Sequence, residues 1–106
     1  MDDHFNKLTP AEAERLAMLA EECGEVIQII GKILLHGYNS YHPDNVNVSN
    51  RDLLRNEIID VSGIIERMFD VGDINDFDYY DMKQSYEKKL RYSHHQNKTK
   101  IVDHEQ

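Results

Sequence analysis

Glu21-Glu22-Cys23-Gly24-Glu25 interrupts an apolar run, and Glu57-Ile58-Ile59-Asp60 repeats the interruption further along. Each stretch holds carboxylates three residues apart, Glu22 with Glu25 and Glu57 with Asp60. At about 100° per residue, that spacing puts both side chains on one helix face, roughly 60° apart. At the same increment Leu16, Cys23, Ile27, Ile30 and Leu34 form a central stripe, widened on one side by Leu19, Val26, Ile29 and Ile33. Glu22 falls between Ile33 and Ile29, inside this arc, and Glu25 at its edge. In the second stretch Leu53, Leu54, Val61, Ile64, Ile65 and Met68 make the arc; Glu57 projects between Ile64 and Met68, with Asp60 just beyond Leu53. A lone buried carboxylate is costly, so buried charges are paired or bound to metal. Four carboxylates from two facing helices, with no lysine or arginine interleaved on those faces, point to a divalent cation. Oxygen-only donors favour magnesium or manganese over zinc or copper.

The rest of the composition narrows the setting. A chain of 106 residues makes one small domain, for which oligomerisation adds buried surface. Twenty acidic against twelve basic residues give a net charge of −8, with a pI near 5.1. That balance argues against polymeric nucleic acid or an anionic membrane as the main partner, since both attract basic surfaces. It leaves room for a nucleotide whose charge is met by metal. Cys23 is the single cysteine, so no internal disulfide forms, which fits a reducing cytosol. The first residues lack the basic and apolar regions of a signal peptide, and no apolar run reaches membrane-spanning length. A cytoplasmic protein is expected.

In chain order, residues 1–8 form a lead-in. Thr9-Pro10-Ala11-Glu12 then has the marks of a helix start: a capping threonine, proline at the first position, and glutamate three residues after the cap. The first helix should run from about Pro10 to Leu35 and stop at His36-Gly37, either whole or broken in two. Gly24 and Gly31 weaken its interior, and serve either close helix packing or, at Gly24, room for a ligand beside the carboxylates. Residues 37–50 have no period and are rich in turn formers. Such a loop is packed on the surface or functional, and Tyr38, Tyr41 and His42 are placed to close over a base or sugar. Ser49 and Asp52 resemble a capping box for a second helix from about Asn50 to Val71, stopped by Gly72. Asp76 is taken as the cap of a third, over roughly residues 77–92, with Lys83, Lys88, Lys89 and Arg91 toward its C-terminal end. The polar segment 93–106 is expected to be frayed, giving a domain over 1–92 and a tail over 93–106. No strand or hairpin signal stands out. The expected architecture is an all-α bundle of about three to four helices per chain, completed by further copies.

Di-iron carboxylate bundles are the main metal alternative, but their Glu-x-x-His motifs are missing: no histidine lies three residues after a glutamate. His94, His95 and His104 read as solvated.

Glu22-Cys-Gly-Glu25 followed by Glu57-Ile-Ile-Asp60 resembles the E-x-x-E … E-x-x-D pattern of the all-α nucleotide pyrophosphohydrolases, the MazG-like superfamily, which includes dimeric all-α dUTPases and dCTPase-type enzymes. The resemblance covers roughly residues 10–92. The 31 residues between the tetrads exceed the usual family spacing, and the excess falls in the loop over 38–48. The resemblance implies magnesium-dependent cleavage of a nucleoside triphosphate into monophosphate and pyrophosphate, with manganese as a substitute ion. It implies Glu22, Glu25, Glu57 and Asp60 as metal ligands and a homodimer or homotetramer as the working state. Glu21 is either an orienting group, the base for the attacking water, or an ordinary exposed glutamate. Lys32, Tyr38, Tyr41, Arg55, Lys83 and Lys89 are candidates for contacting the substrate. Two other expectations stand beside this one: a nucleotide- or metal-binding regulator without turnover, and a helical interaction module whose acids pair with a partner's arginines.

Overall fold

The computed structural model describes residues 6–96. They form three helices in order, α1 (Pro10–His36), α2 (Asn50–Asp70) and α3 (Tyr79–Leu90). There is no strand among them, only an isolated antiparallel bridge between Tyr41 and Ser49. The all-α class therefore holds. None of the described helices is long and apolar enough to cross a membrane.

All three helices open the same way. Thr9 Oγ1 accepts from the Glu12 amide at 3.1 Å, while Glu12 Oε1 accepts from the Thr9 amide at 2.8 Å. Ser49 and Asp52 exchange the same pair of bonds, both at 3.1 Å, so aspartate does the work usually given to glutamate. The third box is Asp78 with Asp81, at 2.9 and 3.0 Å. This corrects the expected start of α3: the cap is Asp78, not Asp76. Residues 77 and 78 lie outside the helix, and the helix ends at Leu90 rather than near residue 92. At the other ends, Gly37 follows α1 with φ of 91° and Gly72 follows α2 with φ of 84°. These are left-handed conformations that a side chain strains.

The first helix is a single uninterrupted run of 27 residues. Its two interior glycines do not mediate close packing among the described residues, because a β-carbon at Gly24 or Gly31 would meet nothing within 4 Å there.

The chain divides into two compact units, one through Ile74 and the other from Asn75 onward. In the first unit α1 packs on α2. Along α1 the shielded positions include Arg15, Leu19, Glu22, Val26, Ile29 and Ile33; along α2 they include Asn50, Leu54, Glu57, Val61, Ile64 and Met68. Both series alternate steps of four and three, the spacing of a packed helix seam. Each seam has a glutamate in its middle. The stripe expected at the centre of the α1 arc is instead displaced outward, with Ile27 69 % and Leu34 83 % exposed, and Leu35 beside it 76 %.

Two ties flank the carboxylates. Arg15 sits on the seam but is committed elsewhere: its Nε donates to Asp73 Oδ2 at 2.6 Å and its second nitrogen to Oδ1 at 2.9 Å. At the other end the 37–49 loop is fastened to the first turn of α2. The Asn50 and Arg51 amides donate to the Ser40 and Tyr38 carbonyls at 2.8 and 2.9 Å. The buried Asn50 side chain donates to the Gly37 carbonyl at 3.2 Å.

In the second unit, α3 buries Leu90 and leaves Tyr79, Tyr80, Met82 and Tyr86 exposed. Ser93 bonds back to the Leu90 carbonyl. Of the polar tail, residues 97–106, including His104, lie outside the described residues, as do residues 1–5 of the lead-in.

Candidate metal centre

Helical spacing delivers the carboxylates. Glu22 and Glu25 leave α1 on one face, Glu57 leaves α2 opposite them, and the seam brings the three together. Each offers an oxygen within 4.8 Å of the others'. All three side chains are partly shielded, and Glu22 Oε1 and Glu57 Oε1 have essentially no contact with solvent and no hydrogen-bond partner. Unsatisfied oxygens among apolar side chains are uncommon in folded proteins and call for an explanation.

Their protonation records the crowding. Glu57 is pushed up from the ordinary 4.5 to about 7. The first cause is a hydrogen bond with Glu25 that exists only while Glu57 holds its proton; desolvation follows, then the charges of Glu25, Asp60 and Glu22. Glu22 is also raised, chiefly by desolvation, then by the charges of Glu25, Asp60 and Glu21. Asp73, by contrast, is held below its ordinary value by Arg15. Arg15 on the seam is thus spent on another acid, and among the described residues no cation figures in the shifts of Glu22 and Glu57. A divalent cation suits this donor set: hard oxygen ligands from two helices, repelling one another.

Asp60, expected as a fourth ligand, lies outside the group of three whose oxygens converge. It is exposed, yet near enough for its charge to raise both Glu22 and Glu57. Glu21 is exposed beside Glu22.

The remaining candidates scatter. Lys32 and Tyr41 line a cavity of about 370 Å³ where the loop meets the ends of α1 and α2, together with His36, His42, Asn50 and Leu53. Tyr38 is turned to Arg51, whose guanidinium lies 4.4 Å from its ring centre. Arg55 is exposed on α2. Lys83 and Lys89 belong to the second unit: Lys83 lies 5.7 Å from the Tyr79 ring centre, and Lys89 lines a groove with Phe77, Met82 and Tyr86.

Three residues gain a part that the sequence did not assign them. Arg15 and Asp73 are 58 positions apart and carry no pairing signal. Asn50 had one, because a helix-first asparagine between a long loop and an apolar arc is a natural tie for loop carbonyls. On α3, Glu87 Oε2 is likewise shielded and without a hydrogen bond.

Compared with protein-family models, curated proteins and solved structures, the chain matches none. The MazG-like resemblance accordingly rests on the two tetrads.

Proposed function

We propose that this chain is a divalent-cation-dependent nucleotide pyrophosphohydrolase of the MazG-like kind, splitting a nucleoside triphosphate into monophosphate and pyrophosphate. The observation that carries the reading is the convergence of Glu22, Glu25 and Glu57 with two solvent-shielded, unpartnered oxygens. Structural acids on a helix pair are ordinarily solvated or matched by arginine. Here the one arginine on the seam is engaged with Asp73.

Glu22, Glu25 and Glu57 would hold the ion, magnesium or manganese, with Asp60 adding negative charge at the rim. When bound, such an ion neutralises charge on phosphate oxygens and lowers the pKa of a coordinated water. The chain's own contributions are positional. The α1–α2 seam fixes the spacing of the ligands, Val26, Ile29, Val61 and Ile64 exclude bulk water from their inner side, and Glu21 or Asp60 stands at the solvent edge to accept the proton of an attacking water. The exposed stripe of Ile27, Ile30 and Leu34 favours a further copy of this chain against α1, making the working form a homo-oligomer.

The deciding assay is pyrophosphate release from a panel of canonical and modified nucleoside triphosphates, with magnesium, manganese or EDTA, run for wild type and Glu57→Gln. The reading requires metal-dependent release that the variant reduces by orders of magnitude, since it loses a charged ligand. Equal activity in Glu57→Gln overturns the site. Absence of release across the panel, with magnesium still raising the melting temperature, leaves a binding protein.

A further inference from the structure

The cavity at the loop end and the carboxylate cluster share the same two helix stripes. On α1, Glu25, Ile29, Lys32 and His36 follow one another at steps of four, three and four; on α2, Asn50, Leu53, Glu57 and Asp60 do so at three, four and three. The cluster occupies one half of each stripe, and the cavity the other. From Glu25 to Lys32, and from Glu57 back to Asn50, is seven residues, about 10 Å along a helix at 1.5 Å per residue. A nucleoside monophosphate spans about that distance from its phosphorus to the far edge of its base.

The cavity is built differently from the cluster. Tyr41, Pro43, Val48 and Leu53 give it apolar and aromatic walls, among which stand a few polar groups. That is the usual make-up of a small-molecule site. His42 Nδ1 accepts from the Asp44 amide at 3.0 Å, which leaves Nε2 as the donor on that ring. The buried Asn50, bonded to the Gly37 carbonyl, and the Tyr41–Ser49 bridge hold the loop over the space. No carboxylate lines it, in contrast to the cluster.

We infer that this cavity is the nucleoside subsite: a base and its sugar lie between Tyr41 and the ends of α1 and α2, with the phosphates running along the seam to Glu25 and Glu57. The inference rests on the pyrophosphohydrolase reading for the direction of the phosphates. Tyr41 and Val48 wall the base and Asn50 is a positioning residue for the loop. Lys32 stands between the two halves, where the α-phosphate would pass.

The test separates the two claims. The protein is titrated in EDTA with adenosine, cytidine, guanosine and thymidine 5′-monophosphates, and with orthophosphate, while backbone amide NMR shifts are followed. Saturable shifts at residues 36–53 with one or more nucleotides, absent with orthophosphate, are expected. Val48→Phe, which fills the cavity, and Tyr41→Ala, which removes an exposed wall, should each weaken that binding about tenfold or more, equivalent to about 1.4 kcal/mol. Manganese affinity, read by electron paramagnetic resonance, should stay at the wild-type value in both. Shifts confined to the carboxylates, shifts reproduced by orthophosphate, or undiminished binding in both variants would overturn the subsite. If nucleotides bind there and no triphosphate is hydrolysed, the subsite stands and the hydrolase reading falls. If triphosphates are hydrolysed with an unchanged KM in both variants, the hydrolase stands and the subsite falls.

Discussion

Glu57 is the residue on which site and stability meet. Its carboxyl titrates near 4.5 in an ordinary setting and at about 7 in the fold, so between those values the folded chain holds a proton that the unfolded chain has lost. Stability of the metal-free protein should therefore fall as pH rises from about 4.5 to 7. Glu22, raised as well, adds in the same direction. Asp73 runs the other way, but its depressed value confines its effect to pH below its ordinary 3.8. Thermal melts of wild type and Glu57→Gln across pH 5–8 in EDTA should diverge. The variant should be flatter and higher-melting at neutral pH, because it lacks the charge that the cluster resists. A variant that melts below wild type at pH 7.5, or parallel slopes, would show that Glu57 is not strained. At this scale the sequence was informative about Glu22 and Glu57, which helical spacing alone puts within an apolar arc, and about Glu25, which it puts at the arc's edge beside Glu22. Asp60, which the same arithmetic sets just beyond Leu53, stays exposed while its charge acts on Glu22 and Glu57. The sequence was silent on Arg15 and Asp73, whose pairing depends on how the chain turns after Met68.

Among the elements, α1 and α2 were legible almost to the residue because punctuation and periodicity agree. Thr9 with Glu12 and Ser49 with Asp52 open them, and Gly37 and Gly72 stand where they stop. The error over α3 has a local cause. Aspartate at 76 and at 78 is of a type that caps helices, but only Asp78 has an acid three positions on, Asp81, to complete the reciprocal box. The rule that located Ser49 would have chosen correctly. The interior glycines of α1 yield a test of what borders that helix. Both sites have room for a methyl group, so Gly31→Ala should raise stability by about 1 kcal/mol from helix propensity alone, seen as a rise of several degrees in melting temperature. Gly24→Ala should stabilise by a similar amount. If Gly24 leaves space for substrate beside Glu22 and Glu25, that gain will come with reduced turnover, which Gly31→Ala would not share. A loss of stability in either variant would mean that another helix packs closely there.

For the molecule as a whole, the sequence conveyed that α1 is apolar over too wide an arc for one neighbour, but not which part of the arc faces α2. The seam uses Leu19, Val26, Ile29 and Ile33, and leaves Ile27 and Leu34 to solvent. A stripe of that kind suits another helix, and a second copy of the chain is the proposed occupant. Ile27→Glu with Leu34→Glu should lower the molar mass measured by light scattering on a sizing column. A wild-type protein that is monomeric at all concentrations would remove the oligomer from the proposal. The Arg15–Asp73 pair ties the two helices beyond one side of the carboxylates, and the loop bonds to Ser40 and Tyr38 tie them beyond the other. Repelling acids on an untied pair would relax by splaying apart, and an incoming ion would have to draw the helices back together. With both ends fastened the gap would be set before an ion arrives, and the proposed capture would cost little rearrangement. Loosening one end, as Asp73→Asn does, should weaken manganese binding without touching a single ligand.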